Sequence, residues 1–196
     1  MNPINEITIA SSTNDISFVN TGDKGYVAGI EAEVRKVIGE FSNNKLTAGV
    51  NASYMYTNQD LSSEKVQKET AYGVIFTNSK SGFTGASPLL VNADLTLMRE
   101  WNNKESNIMG TLAYSYFSDR LYAIGTNLKG DVVDKAVGTL DFVLKSKINK
   151  NLGLGFSAKN LLDPKIERVQ ENNNGDVTLL TYTKGINLSL GINYQF

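Results

Sequence analysis

The carboxyl-terminal stretch Gly185-Ile-Asn-Leu-Ser-Leu-Gly-Ile-Asn-Tyr-Gln-Phe196 decides how the rest of the chain is interpreted. Its even-numbered positions are all apolar or aromatic, whereas its odd-numbered positions hold only Gly, Asn, Ser and Gln. Because successive side chains of a strand point to opposite faces, this pattern predicts a strand with one apolar and one polar face. In a soluble sandwich the apolar face covers a core. In a membrane barrel it meets lipid, and the polar face lines the lumen.

The composition is compatible with both environments. The chain has 196 residues, of which 41% are hydrophobic, and a mean hydropathy of -0.22. It contains no apolar run of about 18 residues or more that would form a membrane helix. The 19 basic and 20 acidic residues are scattered along the chain, which argues against nucleic acid as a partner.

The absence of Cys and His from the sequence removes thiol catalysis, zinc-thiolate sites and imidazole bases. We therefore expect the protein not to be an enzyme and to hold no metal or cofactor. The segment Met1 to Glu6 lacks the basic start and apolar core of a secretion signal. The expectation is that the chain is cytoplasmic or begins partway through a longer protein.

Alternation of apolar and polar residues predicts eight strands in an antiparallel, up-and-down meander. They are expected at residues 4–20, 26–35, 46–56, 89–97, 108–116, 140–145 and 152–159, and from 177 to the carboxyl terminus. The connections from the second strand onward have predicted lengths of 6, 31, 5, 18, 3 and 14 residues, so short and long alternate. The connection Thr21–Gly25 looks short where the pattern requires a long one. The charged segment Ser62–Glu69 is expected to be a solvated loop.

In a meander, this alternation places every long connection at one end of the sheet, as in outer-membrane barrels. The apolar faces carry no charge at their central positions, as a lipid-facing surface requires when one midplane Arg or Lys costs about 2–4 kcal/mol. The charged strand residues are predicted to line a hydrated lumen: Glu31, Glu33, Arg35, Asp94, Asp141, Lys145 and Lys159. The carboxylates among them would also suit a glycosidase pair, but the lumen wall is the favoured interpretation.

The last eight residues resemble the terminal signal of bacterial outer-membrane proteins. The pattern is a polar residue, Ser189, then Gly191, then Tyr194 third from the end, and a final aromatic, Phe196. In proteins with this signal, the barrel-assembly machinery reads it. The resemblance implies that this chain is inserted into an outer membrane by the same machinery.

Further segments resemble the carboxyl-terminal barrel of TonB-dependent receptors, especially those of Bacteroidetes, and they occur in the family's order. They are Asn2-Pro-Ile4, Val27-Ala-Gly-Ile-Glu-Ala-Glu-Val-Arg-Lys36, Gly85-Ala-Ser-Pro-Leu-Leu-Val-Asn-Ala-Asp-Leu95, Tyr114-Ser-Tyr-Phe-Ser-Asp-Arg120, Leu140-Asp-Phe-Val143 and Lys159-Asn-Leu-Leu-Asp-Pro164. The resemblance implies a plugged barrel of about 22 strands in the bacterial outer membrane. Residues 1–196 would be its carboxyl-terminal segment, without the plug domain and the amino-terminal strands.

The resemblance also implies the function and the partners. The family takes up scarce nutrients of the iron chelate, cobalamin or glycan class. The expected partners are outer-membrane lipid, the barrel-assembly machinery, the plug and remaining strands, and TonB through the amino-terminal region that this chain lacks. An open sheet in lipid would leave unpaired edges, so further strands must be supplied unless eight strands close alone. A complete eight-stranded barrel acting as an adhesin or structural protein, and a soluble all-β binding module, remain as alternatives.

Overall fold

The computed structural model describes residues 3–10, 15–70, 72–103 and 105–196. In chain order, the elements are β1 (Ile4–Ala10), β2 (Asp15–Asn20), β3 (Gly25–Phe41), β4 (Asn44–Asp60), α1 (Ser63–Thr70), β5 (Lys80–Ser81), β6 (Leu89–Trp101), β7 (Ser106–Phe117), β8 (Arg120–Ala123), β9 (Val132–Asp134), β10 (Val137–Lys147), β11 (Leu152–Lys159), β12 (Ile166–Gln170), β13 (Val177–Tyr182) and β14 (Asn187–Tyr194). The prediction of an all-β chain with antiparallel sheets is confirmed. Within these ranges no helix has the length and apolar character needed to cross a membrane.

Seven strands form one antiparallel sheet in the order β3-β4-β6-β7-β10-β11-β14, which we call the meander. Strand β5 pairs with the end of β4. In the described part of the chain, β3 and β14 each pair on one side only, so the sheet is open and no barrel closes. The sheet therefore has two edges with backbone groups free to pair.

The connections β3–β4, β6–β7 and β10–β11 are short turns at one end of the meander, which we call the turn end. Asn102 and Asn103 adopt positive φ values of 54° and 51°, which Asn tolerates better than most residues. In the β10–β11 turn, the Asn149 side chain accepts hydrogen bonds from the backbone N–H groups of Asn151 and Leu152, both at 2.9 Å. These polar turns fix the register of the strands that they join.

Every element outside the meander precedes β3 or lies in one of the three long connections, at the opposite end, which we call the loop end. Strands β1 and β2 form a hairpin that packs on α1, and β8, β9, β12 and β13 form a separate four-stranded sheet, the loop sheet. The main hydrophobic core also lies here, between the hairpin and α1. Its buried residues are Ile7, Val19, Leu61, Val66, Val74 and Phe76.

A buried polar cluster attaches the β1–β2 hairpin to the meander. The Asn5 amide donates to Thr21 Oγ1 at 2.6 Å and to Gln59 Oε1 at 2.7 Å, and the Gln59 amide donates to the Gly82 carbonyl at 2.6 Å. Gln59 is 1% exposed, so each of these polar groups needs an internal partner. The hairpin is thereby held at the loop end of β4.

One of the eight predicted strands is wrong, and another is correct only in its carboxyl-terminal part. The first is not one strand of the sheet, because residues 4–10 and 15–20 pair with each other; residues 11–14 lie outside the described residues. In the hairpin, the backbone groups of the two strands pair with each other, and Ile7 and Val19 are buried in the core that includes α1. A single edge strand would provide neither. The predicted closing strand is confirmed over Asn187–Tyr194, but residues 177–182 form the separate strand β13, and Gly185, with a φ of +76°, turns the chain between them.

The expectation of a solvated loop at residues 62–69 is also wrong. Ser63–Thr70 is helical, and the Ser62 hydroxyl accepts a hydrogen bond from the Lys65 backbone N–H at 3.2 Å, as an N-cap does. Val66 is 0% exposed, so one apolar side chain anchors the helix on the hairpin. The other predicted strands are present and are mostly longer than predicted, because pairing with neighbours extends them beyond the clean alternation.

Candidate functional site

The register of the meander places the predicted lumen residues on one face, which we call the polar face. Arg35 lies opposite Gly49, Gly49 opposite Asp94, Asp94 opposite Ala113, and Ala113 opposite Asp141. Directly opposed residues of antiparallel strands share a face, and so do residues two apart on one strand. By the same rule Glu31, Glu33, Lys145 and Lys159 lie on this face.

The polar face contains an ion pair that spans three strands. Arg35 Nη2 lies 2.7 Å from Asp94 Oδ1 and Nη1 lies 3.3 Å from Oδ2, across Gly49 of the strand between them. A Cβ at Gly49 would come within 2.5 Å of Asp94 Oδ1 and 3.0 Å of Arg35 Nη2. Gly49 therefore leaves the space through which the two side chains meet.

The other predicted lumen residues are less connected. Glu31 accepts a hydrogen bond from the Asn51 amide at 3.0 Å, and Asp141 accepts one from the Asn160 backbone N–H at 2.8 Å. Of the three predicted cations, Arg35 alone has an ion-pair partner within the described residues. Of the four carboxylates, Asp94 and Asp141 lie on strands separated by β7, whereas Glu31 and Glu33 lie two residues apart on β3.

The opposite face of the meander is apolar and uncovered by any other described element. Ile30 is 72% exposed, Leu190 is 78% exposed and Ile192 is 72% exposed. A sandwich would bury such residues under a second sheet. Charged residues depart from the expected pattern at Lys36, which lies opposite Ala48 next to the bulge between Val37 and Gly39, and nearer the strand ends at Arg99, opposite Ile108, and at Asp60.

The four residues of the predicted assembly signal lie along β14 and just beyond its carboxyl end, which is at the turn end of the meander. Ser189 pairs with Ser157 and Gly191 with Gly155 on the polar face, whereas Tyr194 pairs with Leu152 on the apolar face. Phe196 follows the strand, and its ring lies 5.1 Å from the Tyr194 ring in an edge-on arrangement. Hydrogen bonds between Gln195 and Asn151 attach the terminus to the β10–β11 turn at 2.8 Å and 2.7 Å.

A row of charged residues crosses the loop sheet. Arg120 lies opposite Asp134 and Asp134 opposite Arg168, so one carboxylate is flanked by two guanidinium groups. Asp134 is 8% exposed; its Oδ1 lies 2.6 Å from Arg168 Nε, and its Oδ2 lies 3.0 Å from Arg120 Nη2. The Arg168 guanidinium also stacks on the Tyr122 ring, 3.1 Å from its centroid.

The electrostatics of this row favour its charged form. Burial alone would raise the pKa of Asp134, but hydrogen bonds and charge attraction from Arg168 and Arg120 outweigh burial and lower it. The hydrogen bond to Asp134 likewise raises the pKa of Arg168. The row therefore remains ionised at neutral pH, with an excess of positive charge.

A cavity of about 230 Å³ lies beside this row, where β7 and β10 of the meander reach the loop sheet. Its walls come from both sheets and from the connections between them. The lining residues are Ser87, Phe117, Ser118, Arg120, Asp134, Lys135, Val137, Ile166, Arg168, Leu180, Tyr182 and Lys184. Phe117 and Val137 oppose each other on the polar face of the meander, so the cavity lies at the loop end of that face.

The charged row and the cavity are not evident from the sequence. Strands β8, β9 and β12 have 4, 3 and 5 residues, which is too short for alternation to be read with confidence from sequence. The three charged residues are far apart in the chain and meet only through cross-strand pairing. The one available signal is that Arg120, Asp134 and Arg168 all fall in connections too long for simple hairpin loops.

Comparison of the chain with protein-family models, with curated proteins and with solved structures finds no match.

Proposed function

We propose that this chain forms the carboxyl-terminal part of a transmembrane barrel of the TonB-dependent receptor class, which takes up a nutrient across a bacterial outer membrane. The observation that carries the proposal is the division of the molecule into two unlike ends. All short turns lie at one end of the meander, and all long connections, with every extra element, lie at the other. Outer-membrane barrels have short periplasmic turns and long extracellular loops.

The two faces of the meander support the same proposal. The apolar face is suited to lipid because its residues remain exposed and, apart from Lys36, its central positions are uncharged. The polar face, with the Arg35–Asp94 pair, is suited to a hydrated lumen. In this arrangement the chain supplies part of the barrel wall and a set of extracellular loops that would contact the nutrient.

The open edges of the sheet agree with a wall that continues into other strands. Strands β3 and β14 would each leave a row of unpaired N–H and C=O groups in hydrocarbon, where each unpaired group costs several kcal/mol. Strands outside this chain would pair with both edges in the proposed receptor. The meander has seven strands and not eight, which disfavours a complete eight-stranded barrel, and the uncovered apolar face disfavours a soluble module.

Surface labelling with single cysteines tests the proposal, because the natural chain has none. Asn173→Cys places a thiol in an exposed loop-end connection, and Asn43→Cys places one in an exposed turn. In intact cells that produce the protein, a membrane-impermeant maleimide should label the thiol at 173. It should label the thiol at 43 only after the outer membrane is permeabilised. Equal labelling of both sites in intact cells, or recovery of the protein in the soluble fraction, would contradict the proposal.

A further inference from the structure

The cavity at the loop end has more positive than negative charge. Four cationic side chains line it, Arg120, Lys135, Arg168 and Lys184, together with one carboxylate, Asp134. Lys135 also pairs with Asp119 outside the cavity at 2.7 Å. Two positive charges therefore remain after both carboxylates are counted.

The arginines are held in place before any ligand arrives. Arg168 is fixed by Asp134 on one side and by the Tyr122 ring on its face. Arg120 uses Nε and Nη2 on Asp134, at 3.1 Å and 3.0 Å, and its side chain remains 50% exposed. Its remaining N–H donors are thus available for a planar acceptor, and a preorganised guanidinium is suited to a carboxylate.

Lys184 supplies a cation that is not engaged in an ion pair with another described residue. It is exposed and lies on the connection between β13 and β14. An exposed Lys is most often a solvated surface residue, and this position differs because it borders a cavity that already contains two arginines. Its charge can reinforce a bound anion without weakening the fold.

Apart from Ser87 and Ser118, the remaining residues that line the cavity are apolar or aromatic. Val137, Ile166 and Leu180 line it together with Phe117 and Tyr182. A volume of about 230 Å³ is below the roughly 300–1,000 Å³ of pockets that enclose a whole drug-sized ligand. The cavity therefore suits a small acid, or the acidic end of a larger molecule, that has an apolar body.

We propose that this cavity binds a carboxylate attached to an apolar or aromatic group, with Arg120 and Lys184 contacting the carboxylate. The inference names a ligand class for the loop end and rests on the proposed receptor function, in which the cavity lies at the extracellular mouth of the lumen. It predicts that affinity depends both on the negative charge of the ligand and on the cations of the cavity.

A ligand-observed NMR titration of the purified, folded protein with benzoate tests this inference. Benzamide is the uncharged ligand control. Lys184→Gln is the test variant and Lys165→Gln is the protein control, because Lys165 is exposed on the connection before β12 and does not line the cavity. Circular dichroism of each variant establishes that the fold is unchanged.

The expected result is that benzoate binds, that benzamide binds at least about tenfold more weakly, and that Lys184→Gln weakens benzoate about tenfold while Lys165→Gln has little effect. Equal affinities for benzoate and benzamide, or equal effects of the two lysine variants, would overturn the inference. That failure is distinguishable from failure of the proposed function, because the cysteine labelling reports the membrane topology independently of any ligand.

Discussion

At the scale of single residues, Gly49 has a role that its position in the middle of a strand does not suggest. The Arg35–Asp94 pair crosses above it, and an added Cβ would overlap Asp94 Oδ1. We expect Gly49→Ala to separate the pair and to lower the free energy of unfolding by about 0.5–1 kcal/mol, the upper range for a partly exposed ion pair. Chemical denaturation measures this loss.

Gly155→Ala is the matched control for that prediction. Gly155 lies on the same face, and an added Cβ there would meet no atom within 4 Å. This variant should unfold at the same denaturant concentration as the natural chain, or at a slightly higher one. If the two alanine variants lose equal stability, the ion pair is not what Gly49 protects.

Asp134 connects three strands of the loop sheet through its contacts with Arg120 and Arg168. Its replacement in Asp134→Asn removes the negative charge between Arg120 and Arg168, which lie on neighbouring strands. Because hydrogen bonds to charged groups contribute about 1.5–3 kcal/mol, we expect a loss of about 2 kcal/mol and faster amide hydrogen exchange in β8, β9 and β12. Asp119→Asn, at a more exposed pair with Lys135, should cost less than about 1 kcal/mol.

The same carboxylate makes the loop sheet sensitive to acid. The pKa of Asp134 in the folded protein is below its usual value of 3.8, so the unfolded chain binds its proton more readily. The stabilisation is therefore fully present above pH 3.8 and is lost as the pH falls through the lower, folded-state pKa. Hydrogen exchange of β9 amides, followed from pH 6 downward and corrected for intrinsic rates, should accelerate only in this acidic range. In Asp134→Asn this acid-dependent step should be smaller.

At the scale of elements, helix α1 joins the β1–β2 hairpin to the meander. Val66 is 0% exposed and is the helix residue in the core with Ile7 and Val19. Val66→Ala should cost about 2 kcal/mol, from the lost burial and the cavity that remains. Hydrogen exchange should report this loss in β1 and β2 more than in β7 or β10.

Leu128→Ala provides the comparison for Val66→Ala. Leu128 is also at the loop end but is 92% exposed, so its truncation should change stability by less than about 0.5 kcal/mol. If Val66→Ala is equally harmless, the helix does not hold the hairpin in the way that its buried contacts indicate.

The success of sequence reasoning also differs from element to element. The strands of the meander were predictable because each has an apolar face over most of its length, and in an antiparallel meander that face fixes the register. The β1–β2 hairpin was not predictable. Periodicity shows that residues 4–10 and 15–20 are extended, but it does not show which strand each of them pairs with. Helix α1 was missed because Val66 is its only buried residue. One apolar residue cannot show the helical periodicity by which an amphipathic helix is recognised in a sequence.

The residues of the candidate site also differ in how far the sequence predicts them. The polar-face residues, Arg35 and Asp94 among them, were predictable as a group because alternation assigns each residue to a face. Their pairing across Gly49 depends on the register of three strands, which the sequence does not state. The Arg120–Asp134–Arg168 row depends entirely on contacts between distant segments, so only the structure reveals it.

At the scale of the whole molecule, the central claim is that the apolar face of the meander meets lipid while the polar face meets water. The middle of β7 tests this claim because neighbouring residues belong to opposite faces. Leu112 lies on the apolar face opposite Leu95, and Ala113 lies on the polar face opposite Asp94. A soluble protein would give Leu112 either water or a protein core as its surroundings, but not lipid.

The most direct measurement is the accessibility of nitroxide spin labels at single cysteines placed along residues 109–116 of the protein in phospholipid vesicles. Oxygen concentrates in lipid, whereas a water-soluble nickel chelate does not enter it. If the apolar face meets lipid, accessibility should alternate with a period of two residues: even positions such as 112 should be more accessible to oxygen, and odd positions such as 113 more accessible to the nickel chelate. Greater nickel access at the even positions, or no alternation in accessibility at all, would show that the apolar face does not meet lipid.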